Sequence, residues 1–234
     1  MRDIGVFQIG RVFELQGDGG VAEKMSVGAA LTGSMWGRAW NVDRSSLESD
    51  FYLCKGIAEN LLSRLGIRDV VFTPAETPTF HPGRSAVIES GGVRIGVIGQ
   101  IRAECARAVD LPEASYAFEL DLEELMKRSG GLGEYAPISR YPAVTRDLAV
   151  VVADGVPYRK IEELLVRGAG ELLESLELFD LYAGSPLLSG QKSLAFTIVF
   201  RSHERTLRDE EVDERLNNMR RLLASELGAS FRDT

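Results

Sequence analysis

Cysteine and histidine are scarce in this sequence. Its 234 residues include two cysteines, Cys54 and Cys105, and two histidines, His81 and His203. There is no Cys-x-x-Cys pair and no cluster of cysteine with histidine, so the spacing argues against a zinc site and against a disulfide framework. We therefore expect two reduced thiols, a cytoplasmic protein and no metal site.

Long apolar runs and an excess of positive charge are also lacking. No stretch approaches the roughly 20 apolar residues that a membrane-spanning helix needs, and no signal peptide precedes the first strand, so we expect no membrane partner. The net charge of −8 argues against a bulk electrostatic binder of nucleic acid, and we expect no DNA partner. Residues 138–234 alone carry 13 Lys and Arg against 16 Asp and Glu. RNA contact would therefore depend on where a few basic side chains lie.

The composition changes once along the chain, at the Ser-Gly-Gly-Leu-Gly segment of residues 129–133. Such a segment is typical of a linker, and it predicts two domains, at residues 1–130 and 138–234. The first domain reads as a mostly antiparallel sheet with helices. It begins with a strand or strand pair that we expect to break at Gly5 and Gly10. A helix capped by Asp50 follows. Its apolar stripe consists of Leu53, Ile57, Leu61 and Leu65, widened by Ala58 and Leu62.

The second domain reads as a β-α-β-β-α-β unit, which makes the whole chain α+β. Its strands are expected at residues 148–152, 176–182 and 193–200, and Thr206 and Asp209 lie where the last helix should be capped. In the third strand the side chains alternate. Leu194, Phe196, Ile198 and Phe200 should pack under the helices, and the smaller residues between them should face outward. An open sheet of this kind is a recurrent platform for single-stranded RNA.

A group of side chains at the ends of these strands is the candidate RNA site. One interpretation is ion pairing with Asp147, Glu204 and Asp209. The other is a local patch that contacts phosphates and bases, in which an aromatic ring stacks on a base and contributes roughly 1–3 kcal/mol. The candidate residues are Arg140, Tyr141, Arg146, Phe179, Arg201 and Arg205.

Other residues that attract attention have simpler explanations. Pro82 and Gly83 are turn residues, and Arg84 is expected to brace a loop or a subunit interface. His203 has no nucleophile or acid spaced to complete a catalytic set. Trp36 and Trp40 are expected in the core or at a subunit contact.

Linked motifs run along the whole chain. Those of the first domain are Ile9-Gly10-Arg11-Val12-Phe13, Asp50-Phe51-Tyr52, His81-Pro82-Gly83-Arg84-Ser85 and Phe118-Glu119-Leu120-Asp121. Those of the second domain are Ser139-Arg140-Tyr141-Pro142, Arg146-Asp147-Leu148, Leu178-Phe179-Asp180 and Glu204-Arg205-Thr206-Leu207. With these motifs, the second domain is similar to the ferredoxin-fold anticodon-binding domain at the C-terminus of the bacterial phenylalanyl-tRNA synthetase beta chain. The first domain resembles the catalytic-like module of the same chain, with a class II synthetase-like sheet.

The resemblance implies a C-terminal part of a beta chain from a heterotetrameric, ATP-dependent phenylalanine–tRNA ligase. In that family the alpha chain holds the adenylate chemistry, so ATP and Mg²⁺ are implied for the holoenzyme and no cofactor for this fragment. The implied partners are the anticodon region of tRNA(Phe) and the alpha chain. A scaffold for subunit assembly with little RNA affinity of its own is the alternative.

Catalysis by this chain alone is not expected. A class II site needs one arginine on the α-phosphate and a Gly-x-Gly-x-x-Arg arginine on the γ-phosphate, because the developing charge must be neutralised. Arg102 resembles the arginine that binds the α-phosphate. No Gly-x-Gly-x-x-Arg follows, since Gly131-Leu132-Gly133 runs on to Ala136. We therefore assign no catalytic residue.

Overall fold

The computed structural model describes residues 3–17, 19–35, 48–130 and 139–232. The chain divides into two compact units, Met1–Tyr135 and Ala136–Thr234. Trp36, Trp40 and most of the expected linker lie outside the described residues. Within the described residues, no helix is long and apolar enough to cross a membrane.

The first unit is a six-stranded antiparallel sheet with helices. Its strand order is β1-β2-β6-β5-β4-β3, and neighbouring strands run antiparallel throughout. The strands are β1 (Ile4–Leu15), β2 (Val21–Thr32), β3 (Val70–Pro74), β4 (Phe80–Ser90), β5 (Val93–Ile101) and β6 (Ser115–Asp121), and the helices are α1 (Phe51–Arg64), α2 (Ala103–Ala108) and α3 (Leu122–Arg128).

The first strand differs from the expectation. Gly5 and Gly10 do not break it, and β1 pairs with β2 over 12 consecutive residues without a register shift. Glycine weakens a strand but needs no special backbone angle there, so the pairing with β2 decides the outcome. The expected turn at Pro82 and Gly83 is likewise part of β4, at a register shift between Phe80 and Ser85.

Helix α1 begins as predicted, because the Asp50 side chain accepts a hydrogen bond from the backbone N–H of Leu53 at 2.7 Å. Its fully buried side chains are Cys54, Ala58 and Leu62, so the two residues predicted to widen the stripe are buried, and Leu53, Ile57, Leu61 and Leu65 are only partly buried. The small residues allow the helix to lie close to the sheet. Burial raises the pKa of the Cys54 thiol to about 12, so this thiol is an inert core residue.

The second unit has the predicted β-α-β-β-α-β order. Its sheet is antiparallel, in the order β10-β7-β9-β8. A 3₁₀ turn at Gly170–Leu172 precedes β8. The elements are β7 (Val144–Ala153), α4 (Tyr158–Ala169), β8 (Leu173–Tyr182), β9 (Gln191–Phe200), α5 (Asp209–Leu227) and β10 (Ser230–Arg232).

The core of the second unit lies between its sheet and its two helices. The predicted apolar side of β9 is confirmed, since Leu194, Phe196, Ile198 and Phe200 are all buried in this core. The cap of α5 was predicted wrongly. Arg208 occupies the N-cap position, and Glu211 closes a capping box by accepting a hydrogen bond from the Arg208 N–H at 3.0 Å.

Candidate nucleic-acid interface

Within residues 139–232, both helices of the second unit pack on one side of its sheet, and we call the other side the open face. Residues that pair across neighbouring strands point to the same side of a sheet. Thr145, Asp147 and Ala149 of β7 therefore share the open face with Val199, Thr197 and Ala195 of β9. These side chains are small or polar, so a flat ligand can approach the strands closely.

A register shift in β8 places aromatic side chains at this face. Leu178 pairs with the buried Phe196 and Asp180 pairs with Ala195, which leaves Phe179 as the extra residue between them. The extra residue is a β-bulge, which redirects the side chains that follow it. Tyr182 consequently pairs with Ser193 on the open face.

Phe179 and Tyr182 are the exposed rings of this strand, with 55 % and 41 % of their surface accessible. The Tyr182 hydroxyl donates a hydrogen bond to the Ser185 carbonyl, which restrains its ring. A restrained, accessible ring at the edge of an open sheet is suited to stacking against an unpaired base.

The charged groups of the open face are mainly acidic. Asp147 lies opposite Thr197 and accepts a 2.8 Å hydrogen bond from its hydroxyl. Glu177 also lies opposite Thr197, and Asp180 lies opposite Ala195. Carboxylate oxygens accept hydrogen bonds from the N–H groups of base edges, but they repel phosphates. The chemistry of this face therefore favours bases over backbone.

Arg146 lies on the helix side of the sheet. It pairs with Asp209 at 2.8 Å and with Asp213 at 3.7 Å, both in α5. The predicted ion pair with Asp209 is thus present. Asp147, the neighbouring acid, is instead held by Thr197.

Arg201 connects strand β8 with the segment that precedes β7. Its guanidinium donates to Glu174 at 2.7 Å and to the Tyr141 carbonyl at 2.8 Å. Arg140 lies beside Tyr141 and is exposed, and within the described part of the chain it has no hydrogen bond or ion pair. Of the four candidate arginines, Arg140 is therefore the one with its guanidinium available.

Arg205 forms a two-bond pair with Glu211, at 2.7 Å and 2.5 Å. The hydrogen bond from Arg205, with a second from the Arg208 backbone, lowers the pKa of Glu211 to about 2. The pair stabilises the start of α5, so the partner of Arg205 is Glu211 and not the adjacent Glu204.

In the first unit, an open cavity of about 540 Å³ lies on the side of the sheet away from α1 and α3. Its floor is made of small residues, including Gly10, Gly28 and Ala117. The Arg102 guanidinium is not available to a ligand in this cavity, because it donates hydrogen bonds to the Phe80 and Thr77 carbonyls at 2.8 and 3.1 Å. Among the described residues no group of three His, Cys, Asp or Glu side chains could hold a metal ion.

Arg84 and His81 of β4 have local roles in the first unit. Arg84 donates to the Gln100 side chain at 2.7 Å, which braces β4 against β5. The ring of His81 accepts a 3.1 Å hydrogen bond from the Gly83 N–H.

Sequence reasoning missed Asp180 and Tyr182. Strict alternation from Leu176 and Leu178 would place both on the covered side, and only the bulge at Phe179 reverses this. The available signal was an aromatic and an acidic residue just after Leu178, but a single sequence does not show the bulge.

A four-stranded antiparallel sheet packed on two helices in this order defines a ferredoxin-like domain. Residues 139–232 match the family model described as "Ferredoxin-fold anticodon binding domain". Residues 1–122 match "Phenylalanyl tRNA synthetase beta chain CLM domain". The chain belongs to the phenylalanyl-tRNA synthetase beta chain family.

Individual relatives agree with the family assignment. The chain is 36 % identical over 233 residues to a phenylalanine–tRNA ligase beta subunit from Symbiobacterium thermophilum, covering 99 % of this chain and 26 % of the relative. It is 38 % identical over 230 residues to the subunit from Moorella thermoacetica, covering 98 % and 28 %. The chain thus spans about a quarter of the length of these relatives.

A weaker likeness links 53 % of the chain to 41 % of a pyrrolysyl-tRNA synthetase from Desulfitobacterium hafniense, at 14 % identity and a TM-score of 0.39. A similarity of this size does not define a shared fold.

Proposed function

We propose that this chain binds the anticodon region of tRNA(Phe) through its second unit. The first unit, a class II synthetase-like module without catalytic function, assembles with the alpha chain in a heterotetrameric ligase. The observation that carries the RNA proposal is the open face, with exposed Phe179 and Tyr182 beside acceptors for base edges. ATP and Mg²⁺ belong to the whole ligase in this proposal, and none is assigned to this chain.

The ion pairs shape how the RNA would be held. Arg146, Arg201 and Arg205 each have a carboxylate partner within 2.8 Å, so a phosphate contact would have to compete with that partner. Among the residues that the structure describes, Arg140 has no such competitor. Each phosphate contact to single-stranded RNA contributes about 0.7 to the slope of log K against log salt. We therefore expect a slope magnitude near 1, and about 3 if all four arginines bound phosphate.

Titration of the chain with tRNA(Phe) and a non-cognate tRNA at two salt concentrations tests the proposal. Phe179→Ala and Tyr182→Ala should each weaken binding by about 5- to 150-fold, which corresponds to the roughly 1–3 kcal/mol of a lost base stack. Leu188→Ala, an exposed apolar side chain in the loop after β8, is the matched control and should bind normally. No cognate preference, with no loss for Arg140→Glu combined with Arg205→Glu, would exclude the proposed site.

A scaffold with little RNA affinity is the second candidate function. The acidic open face and the paired arginines favour it. Mixing the chain with the alpha chain and measuring the mass in solution tests assembly directly, and a failure to associate would count against both the scaffold and the role proposed for the first unit.

A further inference from the structure

We propose that Arg201 is a positioning residue, which holds the segment of residues 139–143 against the sheet so that Arg140 contacts a phosphate of the RNA. Arg201 itself does not contact the RNA. This role rests on the proposed function, because it belongs to RNA binding, but the hold on the segment can be tested without RNA.

The segment of residues 139–143 precedes β7 and belongs to no helix or strand. Inside it, the Tyr141 N–H donates a 3.3 Å hydrogen bond to the Ser139 hydroxyl, and Pro142 has no N–H to donate. The Tyr141 carbonyl, by contrast, accepts a 2.8 Å hydrogen bond from Nη1 of Arg201. This contact connects the middle of the segment to the end of β9.

The Arg201 guanidinium is itself held in place. Its Nε donates a 2.7 Å hydrogen bond to Glu174, and the backbone N–H of Arg201 donates to the Leu172 carbonyl at 2.9 Å. Glu174 is the extra residue at the first register shift of β8, and a bulge of this kind redirects the side chain at that point. A planar guanidinium with one donor fixed on a carboxylate presents its other donors in a fixed direction. Arg201 is therefore suited to hold the Tyr141 carbonyl.

The same contacts make Arg201 a poor ligand for phosphate. Only 24 % of its side chain is accessible, and an approaching phosphate would meet the Glu174 carboxylate, which repels it. Arg140, in contrast, is exposed and, among the residues that the structure describes, has no carboxylate partner. The phosphate contact at this end of the sheet therefore belongs to Arg140.

The two ends of β8 are far apart. Glu174 lies near its start and Tyr182 at its end, and at about 3.3 Å per residue this stretch spans roughly 25 Å. A phosphate bound by Arg140 is therefore distant from a base that stacks on Tyr182. Loss of Arg201 should lower the affinity for tRNA without changing the discrimination between anticodons.

Limited proteolysis tests the hold on the segment without RNA. Trypsin can cleave after Arg140, and the sequence offers it no other lysine or arginine between Arg128 and Arg146. Arg201→Gln should raise the cleavage rate after Arg140 at least about 5-fold, because a lost charge-assisted hydrogen bond lets the segment open more often. Cleavage after Arg146, which lies inside β7, should stay at the parent rate.

Arg167→Gln is the matched control for proteolysis. It removes the same charge and breaks an ion pair with Glu226 between α4 and α5, so cleavage after Arg140 should not change. Circular dichroism establishes that each variant is folded. Parent-like cleavage of Arg201→Gln after Arg140, or an equal increase after Arg146, would overturn the proposal.

Titration with tRNA(Phe) at several salt concentrations tests the consequence for binding. One phosphate contact contributes about 0.7 to the slope magnitude, or about 5-fold in affinity at 0.1 M salt relative to 1 M. Arg140→Gln and Arg201→Gln should each lose this amount. The double variant should lose it only once, because both substitutions remove the same contact. Two independent phosphate contacts would instead lose about 1.4 in slope and about 25-fold in affinity.

Glu174→Ala separates positioning from direct contact by the sign of its effect. It should weaken binding by about 2- to 5-fold, because Arg201 loses its orientation and the Arg140 contact is partly lost. An Arg201 that bound phosphate would bind more tightly without its competitor. A parent chain without cognate preference would overturn the proposed function and this role with it. A parent with cognate preference, but with additive losses in the double variant or with unchanged or tighter binding of Glu174→Ala, would overturn the role of Arg201 alone.

Discussion

Replacing Gly168 with alanine should destabilise the second unit, although alanine is the better helix former. Gly168 lies in α4 where it crosses α5, and Asn218 donates a 3.0 Å hydrogen bond to its carbonyl. A Cβ atom on Gly168 would lie 2.8 Å from the Met219 Cα and 3.0 Å from the Met219 backbone nitrogen. These are backbone atoms, so the contact can be relieved only by moving one helix away from the other.

The magnitude follows from two opposing effects. Alanine in place of glycine stabilises a helix by up to about 1 kcal/mol. Overpacking a close contact typically costs about 1–3 kcal/mol. We therefore expect Gly168→Ala to lower the free energy of unfolding by about 1–2 kcal/mol.

Gly56→Ala is the matched control. Gly56 lies inside α1, and a Cβ atom there would have no neighbour within 4 Å, so only the helix propensity changes. This variant should raise stability by about 0.5–1 kcal/mol. Urea unfolding followed by circular dichroism measures both changes, with each variant compared to the parent in the transition of its own unit. Equal gains in stability for Gly168→Ala and Gly56→Ala would refute the close crossing of α4 and α5.

Two further predictions concern helix starts. The lowered pKa of Glu211, about 2 against an ordinary 4.5, means that its ionised form stabilises the folded second unit above about pH 4.5 and that this contribution is lost as the pH falls towards 2. In thermal unfolding, Glu211→Gln should therefore be less stable than the parent at pH 7 and equally stable near pH 2. Glu210→Gln is the control, and the same pH-dependent difference for this variant would contradict the role of the pair between Arg205 and Glu211. Asp121 caps α3 by accepting a 3.0 Å hydrogen bond from the Glu124 N–H, so Asp121→Ala should cost about 1 kcal/mol in urea unfolding and Asp121→Asn much less; equal losses would argue against the cap.

Local patterns were enough to predict much of the second unit. Large apolar residues occupy every second position from Leu194 to Phe200, and the burial of one side of β9 follows directly from this alternation. The cap at Asp50 is also a local signal, because its partner lies three residues away. Features of this kind can be read from one sequence.

Features that depend on distant residues could not be predicted. Arg201 meets Glu174, 27 positions earlier, and only the pairing of β8 with β9 brings them together. The bulge at Phe179 moves Tyr182 to the open face, because one extra residue reverses the alternation. Similarly, the continuity of β1 through Gly5 and Gly10 is decided by β2. The candidate RNA residues remain predictions, and the ion pairs single out Arg140 among the arginines.

The most direct test of the central claim is the affinity of this chain for tRNA(Phe) transcripts that differ only in the anticodon. Fluorescence titration should show at least about 10-fold weaker binding when an anticodon base is replaced, as expected for a lost stack or base-edge contact. The same substitution should have little further effect on the Tyr182→Ala variant. Equal affinity for all anticodons, with the parent chain folded, would contradict the proposed role of the open face.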